Sequence, residues 1–334
     1  MANILLTHPE DVRRNYFPPQ AVAELGRLGN LRLNNSGAEW STRALIEAAR
    51  GCEIIVAYRE TPADSELFDA LPDLKAYVRC AVDIRNIDMA AASRNGILVT
   101  HVSGVFISGV AEWTIAAMID LGRNFSASIA AYRAGVVPVA SIGVELRGAT
   151  LGIIGYGRIS QYLCNLALAF GMRVTVADPY VKVENPDVTQ QELPELLAQS
   201  DYVVCLAVAN AETENLMNAK AFALMKPSAF FINPSRGNLV DEVALLQALT
   251  SNQLAGCALD VGRALDQMPS PALTAHPRVI ATPHAAGLTP SLHAQSQEAI
   301  AQTALILKGE IPVGALNSNS ATRVLVPKKL RSMT

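Results

Sequence analysis

The sequence lacks an excess of charge of either sign. Its 334 residues carry a formal net charge of −3, and no run of like charges forms a tail. Proteins that hold nucleic acid by electrostatics carry a basic patch, so this balance argues against a nucleic-acid partner. Charged residues make up only 17% of the chain, whereas half of it is hydrophobic. Such a composition excludes extensive disorder and supplies a large core.

The sequence also lacks the marks of membrane insertion, secretion and metal binding. No apolar run approaches the roughly 20 residues of a transmembrane helix. The N-terminus has neither the basic region nor the apolar segment of a signal peptide. The five cysteines are scattered, mostly in apolar runs, rather than set at the spacings of disulfides or metal sites. We therefore predict a globular cytoplasmic enzyme with no membrane partner and no metal.

What the chain does have is a repeated alternation of short apolar runs and helical patterns. The first hundred residues alternate in this way, with a strand at 4–8 and a helix at 41–51 that starts at a serine cap and ends at glycine. One long apolar helix is predicted over 108–135. A second alternating block follows over 149–284, and an amphipathic helix covers 290–310. The pattern predicts parallel sheets and two α/β domains, the second inserted into the first.

The strongest local motif follows the first strand of the second block. Gly155 is placed to make a tight turn, Gly157 leaves room for a pyrophosphate, and the following helix offers free N–H groups. The third glycine position holds Ser160, which is still small. Asp178 ends the next strand, where a carboxylate accepts hydrogen bonds from ribose hydroxyls and repels a 2′-phosphate. We predict NAD as the cofactor; the alternative is a glycine-rich turn in another α/β protein.

Two charged or titratable side chains follow buried strands of the same block. Arg236 offers a planar pair of donors suited to a carboxylate and an adjacent carbonyl oxygen. His284 is suited to proton transfer near neutral pH, and the other four histidines do not share its placement. The alternatives are a surface ion pair for Arg236 and a satisfied buried imidazole for His284.

Taken together, these motifs resemble those of the D-isomer-specific 2-hydroxyacid dehydrogenase family. The resemblance spans nearly the whole chain and rests on RNIDMAAASRNGILVTHVSG, VAEWTIAAMIDLGRN, LRGATLGIIGYGRI, LLAQSDYVVCLAV, INPSRGNLVDE, ALDV and TPHAAG. It implies an α/β fold of two Rossmann-like doubly wound domains. A flavodoxin-like substrate domain is expected from 1–105 and 289–334, with an NAD domain at 106–288 inserted into it. It also implies a homodimer through the NAD domain and a small-molecule carboxylate substrate.

The resemblance assigns roles to individual residues. It makes Arg236 the substrate-orienting arginine, His284 the acid/base, and Asp260 a residue near the nicotinamide end of the cofactor. The cofactor residues that we expect are Gly155, Gly157, Arg158, Ile159, Asp178, Ala207, Val208, Thr213, Pro234, Ser235, Arg236, Asp260, His284 and Ala286. The substrate-binding residues that we expect are Val82, Asp83, Arg85 and Arg236.

The segment after Asp260 departs from the family. The family glutamate that hydrogen-bonds the catalytic histidine falls here on Leu265, and Gly262 stands where phenylalanine is usual. Three alternatives stay open: Asp266 replaces the glutamate as a catalytic residue, His284 works without an acid, or the chemistry has changed. Arg263 is also new, and it would meet an anionic group if its loop faced the cleft.

The substrate loop departs as well. Asp83 stands at a family glycine position and Arg85 replaces a frequent acid. An anion beside a substrate carboxylate is unfavourable, so Asp83 predicts a substrate that carries an amine. The alternative is that Asp83 turns outwards and pairs with Arg79 or Arg85.

Three functions are compatible with this pattern. The first is an NAD-dependent oxidoreductase of a 2-hydroxy acid or close analogue, with an amine-bearing substrate as one option. The second is a lyase that oxidises its substrate transiently with tightly bound NAD. The third is an NAD-sensing regulatory protein with relict catalysis, which the missing glutamate favours and the retained Arg236 and His284 disfavour.

Overall fold

The chain forms two compact units. The computed structural model describes residues 1–325, apart from the side chain of Asp266. The first unit comprises Met1–Val105 and the chain from Pro290 onward, and the second comprises Phe106–Thr289. The boundary therefore lies one residue beyond the predicted 288.

The first unit is built on a five-stranded parallel sheet in the order β2-β1-β3-β4-β5. Its strands are β1 (Asn3–Leu6), β2 (Asn30–Leu33), β3 (Ile54–Ala57), β4 (Ala76–Arg79) and β5 (Leu98–His101). Its first helices are α1 (Glu10–Tyr16), α2 (Pro19–Leu28), α3 (Thr42–Ala49), α4 (Ser65–Ala70) and α5 (Met89–Arg94). This strand order is that of flavodoxin-like folds.

The two faces of this sheet are both buried, which the period of two along each strand explains. Leu5, Ile55 and Tyr77 pack into the core on one face. Ile54 and Val56 pack into the core on the other. Helices therefore cover both faces, as the predicted doubly wound arrangement requires.

The second unit carries a seven-stranded parallel sheet in the order β12-β11-β10-β9-β6-β7-β8. Its strands are β6 (Thr150–Ile154), β7 (Arg173–Ala177), β8 (Val188–Gln190), β9 (Tyr202–Cys205), β10 (Phe230–Asn233), β11 (Gly256–Leu259) and β12 (Val279–Ala281). Its helices are α6 (Ile107–Arg123), α7 (Phe125–Arg133), α8 (Arg158–Ala169), α9 (Leu193–Gln199), α10 (Ala219–Leu224), α11 (Glu242–Thr250) and α12 (Pro271–Thr274). This is the Rossmann order, with its reversal between β6 and β9.

The chain then returns to the first unit through α13 (His293–Leu307). The predicted α/β class, with one doubly wound unit inserted into another, is confirmed. Among residues 1–325, no helix is long and apolar enough to cross a membrane. All five cysteines are buried free thiols, as their apolar surroundings predicted.

The predicted single helix over 108–135 is wrong. The chain breaks at Asn124, which adopts a left-handed conformation with φ 54° between α6 and α7. The Asp120 carboxylate fixes the break by accepting a 2.8 Å hydrogen bond from the Ser126 N–H. Apolar periodicity does not reveal such a break, because asparagine tolerates this conformation without interrupting the apolar pattern.

Candidate active site

The predicted phosphate-binding turn lies at the carboxyl end of β6. Gly155 has φ +91°, and a Cβ there would lie 2.9 Å from backbone atoms of Ala207. Gly157 precedes α8, and a Cβ there would meet nothing within 4 Å. Arg158 and Ile159 form the first turn of α8, which has no side-chain cap. The turn is therefore as tight as predicted, with open space and uncapped N–H groups beyond it.

The loop after β9 lies beside this turn, at the point where the strand order reverses. Thr213 closes the loop, since its hydroxyl donates to the Val208 carbonyl over 2.7 Å. The Ser235 hydroxyl donates to the Ala207 carbonyl over 3.0 Å, which joins the loops after β9 and β10. Pro234, the residue before Ser235, is buried. Crevices at such reversal points are where ligands bind in parallel sheets.

Asp178 directly follows β7, and its carboxylate faces the glycine turn. It accepts hydrogen bonds from the backbone N–H groups of Tyr156, Tyr180 and Val181 over 2.7, 2.8 and 2.9 Å. Partial burial raises the pKa of Asp178, but these hydrogen bonds outweigh it and hold the pKa below its ordinary value. The group is therefore an anion at neutral pH. Tight turn, open helix end and carboxylate together fit an NAD nucleotide.

The ends of β10, β11 and β12 carry the predicted catalytic side chains. The Asp260 N–H donates to the Asn233 carbonyl over 3.1 Å, and the His284 N–H donates to the Asp260 carbonyl over 2.9 Å. Backbone hydrogen bonds therefore continue past the strands and connect the three ends. Arg236 follows β10, where the Asn233 side chain donates to its carbonyl over 2.9 Å. The Arg236 guanidinium donates to the Ser235 carbonyl over 2.7 Å.

Asp260 supports the turn that carries His284. It is 1% exposed, and its carboxylate accepts from the Thr282 hydroxyl at 2.5 Å and from the N–H groups of Ala285 and Ala286 at 2.7 and 2.9 Å. His284 itself has φ +53°, a left-handed conformation that is uncommon outside glycine and that the hydrogen bonds from this turn to Asp260 support. The family resemblance implied a cofactor-side position for Asp260 and gave no sign of this structural role.

The loop after Asp260 carries the family departures. Leu265 is 88% exposed at the position of the family glutamate. The side chain of Asp266 lies outside the described part of the chain, so its catalytic role stays a prediction. Arg263 donates to Glu214 over 2.9 Å and therefore has an anionic partner on the protein itself.

The substrate loop of the first unit follows β4. The Arg85 guanidinium forms a bidentate pair with Asp83, with its shortest contact at 2.7 Å, and the Arg85 N–H donates to the same carboxylate. Arg79 is buried and donates to the carbonyls of Asp83 and Tyr58. Val82 is 41% exposed. The structure thus favours the pairing alternative for Asp83 and weakens the argument for an amine-bearing substrate.

Sequence reasoning missed His8, which also follows a strand end. It lies just beyond β1 among the rings of Tyr16, Phe17 and Tyr58, at centroid distances of 5.7, 4.9 and 5.2 Å. Both ring nitrogens are buried and have no hydrogen-bond partner within residues 1–325. Burial, with smaller contributions from the charges of Arg13 and Arg79, lowers the pKa of His8 from 6.5 to about 3. The imidazole is therefore neutral at physiological pH.

Comparisons with known proteins agree with this geometry. Residues 115–286 match the family model described as D-isomer specific 2-hydroxyacid dehydrogenase, NAD binding domain. A glyoxylate reductase of Korarchaeum cryptofilum is 30% identical over 310 residues, covering 90% of this chain and 93% of that protein. An (S)-sulfolactate dehydrogenase of Chromohalobacter salexigens is 33% identical over 279 residues, covering 82% and 90%. The crystal structure of the TT0316 protein from Thermus thermophilus superposes with a TM-score of 0.86 at 29% identity, covering 94% and 99%.

Fold and strand-end chemistry define the class as an NAD-dependent dehydrogenase built on two doubly wound units. More particularly, the chain belongs to the D-isomer specific 2-hydroxyacid dehydrogenase family. The predictions of NAD as cofactor and of hydride transfer between NAD and a 2-hydroxy acid are confirmed at this level. The lyase and the regulatory protein are not favoured, because these relatives are named as reductases and dehydrogenases.

Proposed function

We propose that the chain interconverts a short 2-oxo acid and the corresponding D-2-hydroxy acid with NAD(H). One observation carries this proposal: backbone hydrogen bonds join Asn233, Asp260 and His284 across three neighbouring strand ends. Arg236 and His284 consequently sit on adjoining, mutually supported turns. A group that binds a carboxylate and a group that exchanges a proton are the two parts that reduction of a 2-oxo acid requires from the protein.

The two side chains take different parts of the reaction. Arg236 binds the substrate carboxylate and the carbonyl oxygen with its planar donors and stabilises negative charge that develops on that oxygen. In reduction, protonated His284 gives its proton to this oxygen, which becomes the hydroxyl group. In oxidation, neutral His284 takes the hydroxyl proton. A nicotinamide cofactor held at the Gly155 turn would supply the hydride in reduction and accept it in oxidation.

The cofactor residues are those around the strand reversal of the second unit. Gly155 and Gly157 admit the pyrophosphate, and the first turn of α8 offers it backbone donors. The Asp178 carboxylate accepts from the adenosine ribose and disfavours a 2′-phosphate. We extend the assignment to the remaining predicted contacts, which are Ala207, Val208, Thr213, Pro234, Ser235, Asp260 and Ala286.

The substrate that we propose is small and carries no amine. The Asp83 carboxylate is paired with Arg85, so a cationic substrate would have to compete with that guanidinium. A relative that is 30% identical over most of the chain is named glyoxylate reductase, which supports a short 2-oxo acid. Backbone around Val82 and Asp83, on the substrate loop, is the proposed contact of the first unit.

A substrate screen tests this function. Purified protein and NADH are incubated with glyoxylate, pyruvate, hydroxypyruvate and 3-sulfopyruvate, and isoserine with NAD serves as the amine-bearing comparison. We expect one NADH consumed for each hydroxy acid formed, with a 2-oxo acid as the best substrate. Product formed without a change in NADH absorbance, or preference for isoserine, would contradict the proposal.

We further propose a homodimer formed through the second unit. The segment from α7 to the start of the second sheet exposes many apolar side chains, namely Phe125, Ile129, Tyr132, Val136, Val137, Val139, Ile142 and Val144. Contiguous exposed apolar surface of this kind marks an interaction site. Light scattering is expected to give twice the chain mass, and Val137→Asp with Val139→Asp to give the monomer.

The compartment that we propose is the cytoplasm. All five cysteines are free and buried, an arrangement that suits a reducing compartment. Fluorescence from a tagged full-length chain confined to a membrane or secreted fraction would contradict this assignment.

A further inference from the structure

Arg263 is a highly connected side chain near the candidate active site that the proposed reaction does not use. Its Nη2 faces the Glu214 carboxylate at 2.9 Å, the Asn215 side-chain oxygen at 2.6 Å and the Asn238 carbonyl at 3.0 Å. Its Nε donates to the Val240 carbonyl over 3.2 Å. One guanidinium thus joins two separate stretches of chain, and planar arginine is suited to such a fork of acceptors.

The backbone of Arg263 is fixed as well. Its N–H donates to the Glu242 carboxylate over 2.9 Å. Gly262 on its amino side donates to the Gln267 carbonyl over 2.7 Å, and Ala264 on its other side donates to the Met268 carbonyl over 3.0 Å. The loop after β11 is therefore closed on itself and held at its base by Arg263.

The part of this loop at Gly262 and Arg263 lies against the turn that carries Arg236. A Cβ at Gly237 would lie 2.0 Å from the Gly262 carbonyl oxygen, so the two glycines bring backbone directly against backbone. The Asn238 and Val240 carbonyls that Arg263 holds come two and four residues after Arg236. The Asn233 side chain secures the same turn from the β10 side.

From these contacts we infer that Arg263 is a positioning residue, which fixes the Arg236 turn and thereby the geometry of the carboxylate site. The physical reason is that Gly237 has no side chain with which to fix the turn. Backbone N–H groups of Asn215 and Met217 already hold the Asn238 and Leu239 carbonyls, and Arg263 adds side-chain contacts to the Asn238 and Val240 carbonyls. This inference rests on the proposed function of Arg236 as the carboxylate-binding group.

The test compares binding of two ligands by the full-length protein. Arg263→Ala, Arg263→Lys and wild type are titrated with NADH by fluorescence, and each NADH complex is then titrated with oxamate, an unreactive 2-oxo acid analogue. We expect Arg263→Ala to weaken oxamate binding by about tenfold or more while NADH affinity changes by less than about twofold. Arg263→Lys should recover only part of the loss, since an ammonium cannot span the same acceptors.

Arg278→Ala is the matched control. Arg278 is another partly exposed arginine of the second unit, and it donates to the Leu254 carbonyl at a strand end away from Arg236. We expect it to lower the melting temperature without changing oxamate affinity. Added guanidinium ion should restore oxamate binding to Arg263→Ala but leave Arg278→Ala unaffected.

Two results would overturn the inference. One is unchanged oxamate affinity in Arg263→Ala; the other is an equal loss of oxamate and NADH binding, which a merely structural role predicts. Failure of the proposed function is distinguishable, because it would show in the wild-type protein as absence of both 2-oxo acid turnover and oxamate binding, and it would overturn both proposals.

Discussion

The carboxyl ends of the two parallel sheets differ in how their functional side chains are held. In the second unit, the Asp178 carboxylate accepts three backbone N–H groups and the Asp260 carboxylate accepts two, and backbone hydrogen bonds connect the turns of Arg236 and His284 to neighbouring strand ends. In the first unit, Asp83 and Arg85 are the two residues of the substrate loop that differ from the family pattern, and they form an ion pair with each other at the surface.

This difference shows that the structural effect of an acid at a strand end depends on its hydrogen-bond and ion-pair partners. An acid that accepts backbone N–H groups fixes a turn, and the turn then fixes a catalytic or binding group. The Asp83–Arg85 pair contributes little free energy because solvent screens it, and the loop that carries it is held instead by buried Arg79, which donates to the Asp83 carbonyl. Asp178 and Asp260 of the second unit are therefore structural supports of their turns as well as charged groups.

The largest effect on turnover is expected at His284, whose turn is held by hydrogen bonds to Asp260. His284→Ala should lower kcat by about 10²–10⁴, since a general acid–base contributes that much. His276 is the matched control on the same unit, where its ring accepts the Arg278 N–H, and His276→Ala should leave kcat nearly unchanged. Steady-state kinetics with the best 2-oxo acid measures both.

Asp266→Asn belongs to the same measurement. We expect it to reduce kcat far less than His284→Ala does. Equal losses of kcat would mean that Asp266 acts as the acidic partner of His284 in place of the missing glutamate.

Two alanine substitutions in the glycine turn after β6 should separate an effect on folding stability from an effect on NADH affinity. Gly155→Ala should destabilise the protein by about 2–4 kcal/mol, because φ +91° and a backbone atom 2.9 Å away both oppose a Cβ. Gly157→Ala meets open space at φ −83°, so its melting temperature should stay unchanged while NADH affinity falls by about tenfold. Calorimetry and NADH fluorescence measure the two effects, and a Gly157→Ala protein with wild-type affinity would contradict the proposed cofactor position.

Between pH 7 and pH 5 the first unit should lose stability, because His8 takes up a proton when the chain unfolds. Its pKa is about 3 in the folded protein and near 6.5 in the unfolded chain, so protons favour unfolding. Stability is complete above pH 6.5 and decreases as the pH falls towards 3, with a loss of about 2 kcal/mol at pH 5. His8→Phe should remove this part of the pH dependence in urea unfolding between pH 7 and pH 5; an unchanged slope would show that His8 is not responsible.

The smallest effect is expected for the exposed pair of the first unit. A double-mutant cycle of Asp83→Asn and Arg85→Gln should give a coupling free energy below about 1 kcal/mol, because both side chains are partly solvated. Relative turnover of amine-bearing and neutral substrates should also change little. A large, selective loss for amine-bearing substrates would restore the alternative in which Asp83 binds an amine.

Much of the site could be predicted from sequence because its signals are local. The strand, glycine turn, helix and terminal acid around Gly155 and Asp178 are neighbours along the chain, and each residue type has a conformational or electrostatic reason to be there. Arg236 and His284 were identified in the same way, from their place after buried strands. The break at Asn124 was not, because no change of apolar period marks it.

The sequence by itself determined the α/β class, the inserted order of two doubly wound units, the NAD motif and the two strand-end side chains. Only the tertiary structure decided that Asp260 holds the His284 turn and that Asp83 pairs with Arg85. It also decided that His8 is buried among aromatic rings and that Arg263 donates to the chain after Arg236. The physical reason is the distance along the chain over which each effect acts. Periodicity and turn chemistry act between near neighbours, whereas hydrogen-bond partners from distant segments are chosen only when the sheets bring those segments together.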